Sequence, residues 1–216
     1  MKLNTEFQNV LKWAKDNKLK LNLAKTKELV FHRPNARNYL PPEELPGVER
    51  VLYAKLLGVW LKGDLSTRKH VDYILHICNQ RIYLLSQLRK QGLPLPHLQC
   101  VFDAIILSRI VYASPAWRDY LSAADIDCLQ HIFVKAKRWN VVFNNYDVNV
   151  LFDNSDWNLF KSAQSDRHCL YHLYPDKRLH THAMTMRPRG HNFSLPCYKY
   201  EIARNSFISR SLFNFV

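Results

Sequence analysis

Glycine is scarce in this chain, with 5 residues in 216, and adjacent aspartates are absent altogether. No phosphate-cradling glycine loop, no glycine-flanked serine elbow and no His-Glu-x-x-His occurs in it, which removes the common local signatures of nucleotide hydrolysis, serine esterases and zinc proteases. Moving phosphates with two metal ions requires carboxylates held close together, because the cations must be bridged and neutralised locally. The nearest acidic neighbours are Glu43-Glu44, in a proline-rich loop, and Asp125 with Asp127, at what reads as a helix start. Neither pair comes with a second ligand group, so no catalytic metal and no cofactor is expected. Cys-x-x-Cys is missing too: the 5 cysteines stand at 78, 100, 128, 169 and 197. An odd, widely spaced set points to a reduced intracellular chain, in cytoplasm or nucleus. The N-terminus, MKLNTEFQNVLKW, lacks the apolar centre of a signal peptide, and AIIL at 104–107 is interrupted by Ser108 and Arg109. No membrane partner is expected.

What the chain has in excess is positive charge. It carries 31 Lys and Arg against 18 Asp and Glu, a formal +13, and a balance of that size favours polyanions as partners. The excess is spread: 12 basic and 7 acidic side chains in residues 1–65, 10 and 5 in 66–140, and 9 and 6 in 141–216. A basic tail does not explain it. An apolar content of 47% with 12% aromatics is enough to build a core, so the charge lies on folded segments.

The spacing of Phe7, Val10, Leu11 and Ala14 predicts a first helix over Glu6–Asn17, with Thr5 and Gln8 as its capping box. The period then changes in LKLNLAKTKELVFHRP, where alternating leucines lead to a strand near 28–32 closed by Pro34. A proline-rich loop follows, then two apolar runs that read as a hairpin, with strands near 48–53 and 56–61 and a turn at Ala54-Lys55. From Ser66 onward the pattern is helical. Val71, Ile74, Leu75, Cys78, Ile82, Leu85 and Leu88 form one stripe that Gly92 and Pro94 stop. A second helix is expected over Pro96–Ala113, and a third begins with Ser122 and Asp125 in capping positions and ends on Lys135, Lys137 and Arg138. Beyond Asn140 one more helix fits Asp156–Tyr174, and the remainder reads as irregular.

Two constellations carry chemistry. Phosphate contact needs Lys or Arg facing one way, and stacking needs aromatics nearby; Arg81, Arg89, Lys90, Lys135, Lys137, Arg138 and Trp139 offer such a set. A solvated helix face accounts for the same spacing. The C-terminal cluster offers Cys169, His172, His180, His182, His191 and Cys197 as weak zinc candidates. A structural zinc wants two tight ligand pairs, and the second pair here is loose, so packing and stacking roles compete with it.

The order of these stretches resembles the downstream end of the reverse transcriptase of non-LTR retrotransposons, the long interspersed elements that include the jockey-like group. The resemblance runs through LKLNLAKTKELVF, LLGVWLKGDLSTRKHV, HVDYILHICNQRIYLLSQLRKQGLP, SRIVYASPAW and the tail HCLYHLYP, RPRGHNFSLP and NSFISRSLFN. It spans nearly the whole chain and rests on order and spacing, since LGV or KT alone is common. It implies an α+β, mainly α fold: a palm remnant with antiparallel strands over 1–64, a helical thumb over 65–140 and an irregular extension over 141–216. It implies that Leu57, Gly58 and Val59 form the hairpin that grips a primer end, and that residues 66–139 follow a template–primer duplex. Lys25 and Thr26 fall in the segment beside the incoming nucleotide, with Lys25 a possible aid to departure of pyrophosphate; a lysine at a loop-to-strand junction explains that position equally well.

By the same resemblance the paired catalytic aspartates belong upstream of Met1, so magnesium chemistry is expected only of an intact parent enzyme. The expected role is a truncated RNA-directed DNA polymerase segment, inactive alone, that binds RNA, DNA or an RNA–DNA hybrid without sequence preference. Two alternatives stand beside it: a protein-interaction module or subunit that complements a separate catalytic half, and a relic without a selected role.

Overall fold

The computed structural model describes residues 3–32, 39–177, 190–199 and 201–215. Pro34, loop residues 35–38, His180 and His182 lie outside the described residues. The fold is α+β and mainly α, in two compact units, Met1–His70 and Val71–Val216. The division falls inside a helix.

In the first unit, α1 (Leu3–Asp16) begins upstream of Thr5, so Thr5 and Gln8 lie within the helix and the expected capping box does not form. Asn17 closes it: its Nδ2 donates to the Trp13 carbonyl at 2.9 Å, and Lys18 turns left-handed at φ 58°. Around Asn22 the chain folds back, with the Lys25 N–H donating to Asn22 Oδ1 at 3.2 Å and the Thr26 hydroxyl to the Asn22 carbonyl at 2.9 Å. The strand that follows is short: β1 (Lys27–Glu28) pairs with β2 (Glu49–Arg50), and the pairing is parallel, not antiparallel. Arg50 holds it with two bonds to Glu28, Nε to Oε2 at 2.9 Å and Nη2 to Oε1 at 3.1 Å, and also reaches the carbonyls of Pro42 and Glu43.

The hairpin exists but is displaced. β3 (Tyr53–Leu56) and β4 (Val59–Lys62) are antiparallel and turn at Leu57-Gly58, not at Ala54-Lys55. A two-residue hairpin turn matched to strand twist needs positive φ at both central positions; Leu57 has φ 47° and Gly58 φ 90°. Gly58 adopts that region at no steric cost, which neither Ala54 nor Lys55 does. Residues 30–32 run past Gly63, whose carbonyl accepts from the His32 N–H at 2.9 Å. A Cβ on Gly63 would stand 2.5 Å from the Val30 carbonyl.

The second unit is helical. α2 (Arg68–Lys90) buries Val71, Ile74, Cys78, Ile82 and Leu85, as its stripe requires. It ends in a Schellman arrangement, with Gly92 at φ 94° and the Leu93 N–H on the Leu88 carbonyl at 3.1 Å. The next helix is continuous but not uniform: α3 (Leu95–Phe102), a π turn (Asp103–Leu107) and α4 (Ser108–Val111) follow without a break. Its buried residues Leu98, Phe102, Ile106 and Ile110 are each four apart. On a straight α-helix such spacing drifts by about 40° per step, and the wider π turn returns Ile106 and Ile110 to the core face.

Left-handed Ala113, φ 52°, ends this run before α5 (Ser114–Trp117) and a 3-10 turn (Arg118–Tyr120). Leu95–Tyr120 is long and apolar enough to cross a membrane by length and composition, contrary to the expectation drawn from Ser108 and Arg109. Four of its apolar residues lie in the core of this unit, and the run breaks at Ala113.

α6 (Ala123–Arg138) starts on the expected capping box: the Asp125 N–H donates to Ser122 Oγ at 3.2 Å, and the Ser122 N–H to Asp125 Oδ2 at 3.3 Å. α7 (Val148–Ala163), capped by Asp147, begins earlier and ends sooner than the expected Asp156–Tyr174 helix. The tail is less irregular than its composition suggests. α8 (Glu201–Arg204) leads to α9 (Phe207–Asn214), which packs on α7 through Leu212 and Phe160, joined by Phe193.

Candidate nucleic-acid interface

In the first unit the hairpin presents an unforeseen face. Its register sets Tyr53 opposite Lys62 and Lys55 opposite Trp60, so these four side chains lie on one side. Lys69, in the first turn of α2, places its ammonium 4.0 Å from the Tyr53 ring centroid and 4.3 Å from that of Trp60. Lys55 lies 5.8 Å from Trp60, and Lys62 lies 6.0 Å from Tyr53 while bonding Asp64 at 2.6 Å. Burial alone would raise the Asp64 pKa, but the Lys62 ammonium and the Ser66 N–H together hold it below its ordinary value.

The tip residues Leu56 and Leu57 are exposed, Leu57 by 83%, whereas Val59 is buried. The three residues assigned to the grip thus do different things: Leu57 and Gly58 make the turn and Val59 anchors it. Lys25 is exposed in the Asn22 turn, and among the described residues no hydrogen bond or ion pair joins its ammonium to the hairpin.

In the second unit the seven residues picked from sequence separate. Arg81 turns inward, its guanidinium donating to the Ile105 carbonyl within the π turn. The other six lie at two joined helix ends, because Arg89 Nη1 donates to the Trp139 carbonyl at 2.7 Å and so fastens the end of α2 to the end of α6. Lys135 donates to Asn79 Oδ1 at 2.6 Å and lies 4.9 Å from the Trp139 ring centroid. Lys137 bonds Asn145, and Lys90 and Arg138 are exposed. Residues 73–102 and 128–146 contain no acidic side chain. Arg89 thus meets the Trp139 carbonyl and Lys135 its ring, while Lys90, Lys137 and Arg138 are exposed at the same two helix C-termini, whose partial negative charge favours cations, with no carboxylate from their own segments.

Compared with family models, curated proteins and solved structures, the chain matches none.

Among the described residues the zinc candidates do not assemble. His191 is buried, with its Nε2–H on the Leu212 carbonyl at 2.7 Å and its Nδ1 accepting the Phe193 N–H at 3.1 Å, so neither nitrogen is left for a metal. Cys169, His172 and Cys197 are exposed, and among the described residues no three His, Cys, Asp or Glu side chains could hold a metal ion. Those residues do not fit a divalent cation.

Two polar networks escaped the sequence reading. Arg210, 4% exposed, binds both oxygens of buried Asp156 at 3.0 and 2.9 Å and the carbonyls of Asn205 and Pro115. Arg118 bridges Asp156, Asp153 and Asp119 from the other side. Burial pushes the Asp156 pKa up despite both arginines. The second network joins Gln99, Asp103 and Tyr146: Gln99 Nε2 and the Tyr146 hydroxyl both donate to Asp103 Oδ1, the first at 3.0 Å.

Proposed function

We propose that the chain binds nucleic acid through its backbone, as part of a reverse transcriptase of the non-LTR retrotransposon type, and makes no phosphodiester bond by itself. The observation that carries this reading is the joining of the ends of α2 and α6 through Arg89 and Trp139, which brings the last-turn cations Lys90, Lys135, Lys137 and Arg138 to those joined ends. A patch of this kind contacts phosphates and offers one stacking surface, with no side-chain fork aimed at a base edge. RNA, DNA and RNA–DNA hybrid are the partners it suits, and the cytoplasm or nucleus the compartment. The lysine–aromatic face of the hairpin, with Tyr53, Trp60 and Lys69, supplies a second contact of the same chemistry.

The test is fluorescence anisotropy with a hybrid duplex over a range of salt. Five phosphate contacts give a slope of log K against log salt of about −4.5. Lys90→Glu with Arg138→Glu, which breaks no internal hydrogen bond, flattens that slope by about 2 and weakens all sequences alike. A slope near zero in the native chain refutes the reading, and primer extension by the purified chain with magnesium refutes the claim that it makes no bond.

A second reading, in which the first unit docks on a protein partner such as a complementary polymerase half, is favoured by its surface. Among its described residues only Ala14, Val48 and Val59 are buried apolar side chains, while Trp13, Leu19, Leu40, Leu52, Leu56 and Leu57 are exposed. A unit that buries so little and exposes so many large apolar side chains suits a covering partner. Hybrid binding that vanishes while a partner protein co-purifies stoichiometrically would favour it.

A further inference from the structure

The helix that carries the π turn and α7 leave a groove of about 410 Å³ within the second unit. Its apolar lining comes from Leu107, Val111 and Leu151, and its polar lining from Asp103, Asn154 and Asn158 with two serines. No lining residue is cationic, which sets the groove apart from the basic surface of the chain.

Asp103 is fixed where it meets the groove. Asp103 opens the π turn, and its Oδ1 is occupied by Gln99 and the Tyr146 hydroxyl while Oδ2 has no donor among the described residues. Gln99 is itself held by the backbone N–H groups of Phe143 and Asn144 at 3.1 and 3.4 Å. Burial first, and then the bond to Asp103, push the Tyr146 pKa up, so its hydroxyl keeps the proton that it donates. Asn154 and Asn158, one turn apart on α7, are exposed and have no partner among the described residues. The π turn is stabilised by side chains, Arg81 on the Ile105 carbonyl and Ser108 on the Ala104 carbonyl. π turns of a single turn occur mostly where a helix serves a site.

A negative, amide-lined groove rejects phosphate, and a net charge of +13 repels a free cation. What fits is a flat neutral ring with donors and acceptors on its edge. We propose that the groove receives a nucleobase bearing an exocyclic amine, its ring between Leu107, Val111 and Leu151 and its edge against Asp103, Asn154 and Asn158. The proposal rests on the nucleic-acid reading above and adds a place for a base to the place for phosphates. Asp103 accepts and cannot donate, so adenine, guanine and cytosine meet it with an amine, whereas uracil and thymine offer carbonyls at the corresponding position.

Nucleosides, which lack phosphate, separate the two readings. Titrated into the full chain and followed by backbone amide resonances of α7, adenosine, guanosine and cytidine shift the signals around Asn154 and Asn158. Uridine binds at least about tenfold more weakly, the worth of one lost hydrogen bond to a charged acceptor. Asn158→Ala and Asn154→Asp, both at exposed positions, each weaken adenosine by a similar factor without moving the thermal midpoint. Silent α7 resonances, or equal affinity for uridine, overturn the proposal even if oligonucleotides bind. Nucleoside binding that persists in a chain with no affinity for a hybrid duplex upholds the groove and sinks the phosphate reading alone.

Discussion

Replacing Asp156 by alanine removes the carboxylate that both buried arginines share. Arg210 keeps the carbonyls of Asn205 and Pro115 and a 3.3 Å approach to Asp119, and Arg118 keeps Asp153 at 2.7 Å. Removing one partner of a buried pair costs about 3–5 kcal/mol; the surviving contacts to Asp119 place the expected loss near the lower end, about 3 kcal/mol. With a urea dependence of about 2 kcal/mol per molar, the midpoint falls by about 1.5 M, measured by far-ultraviolet circular dichroism. The double variant Asp156→Leu with Arg210→Met leaves neither charge behind and recovers most of the loss, because ion pairs this deeply buried gain little over apolar packing. The pH dependence has the same origin. Burial raises the folded pKa of Asp156 above its unfolded value, so the folded state holds the proton more tightly. This carboxyl thus favours folding most below about pH 4, and the benefit fades as pH rises through the raised folded pKa. Asp156→Asn removes that slope. A midpoint shift under about 0.3 M for Asp156→Ala, or a double variant less stable than the single one, refutes the account.

Hydrogen exchange should divide the chain at its two units, since three buried apolar side chains below residue 71 face twenty-two above it among the described residues; equal protection in both would contradict this. Gly63→Ala forces a contact of 2.5 Å on the Val30 carbonyl and should cost about 1–3 kcal/mol, read as lost protection at residues 30–32 with α6 unchanged. Cys78 is buried and its pKa is pushed up to about 12 by that burial, so in the native chain at pH 8 a thiol reagent should label exposed Cys100, Cys169 and Cys197 and spare Cys78. Fast labelling of Cys78 without unfolding would refute that.

Local signals were legible and distant ones were not. The Ser122–Asp125 box and the α2 stripe lie within single elements; the box forms as its spacing predicts, and the stripe is buried at Val71, Ile74, Cys78, Ile82 and Leu85, while Leu88, in the last turn, is exposed. The hairpin was visible, but its turn lies at Leu57-Gly58, where Gly58 suits the positive φ, and not at Ala54-Lys55. The parallel pairing of β1 with β2 depends on Arg50 reaching Glu28 across a long loop, which no periodicity announces. Among the basic residues, charge marked the set but not the partners: Arg81 and Arg89 look alike in sequence, yet one serves a carbonyl in the π turn and the other joins two helix ends. α9 was hidden because the group that pins it, Asp156, sits mid-helix in α7, far from Arg210 in sequence.

The helix through Asp103–Leu107 contains one residue more than its packing needs. With one residue deleted there, the buried series Leu98, Phe102, Ile106 and Ile110 would be spaced four, three and four, the stripe of an ordinary α-helix. A shorter sequence would therefore satisfy the core without a π turn and without the side chains that support it. The extra residue is surplus to folding, and what it alters is the wall that Asp103 and Leu107 present to the groove.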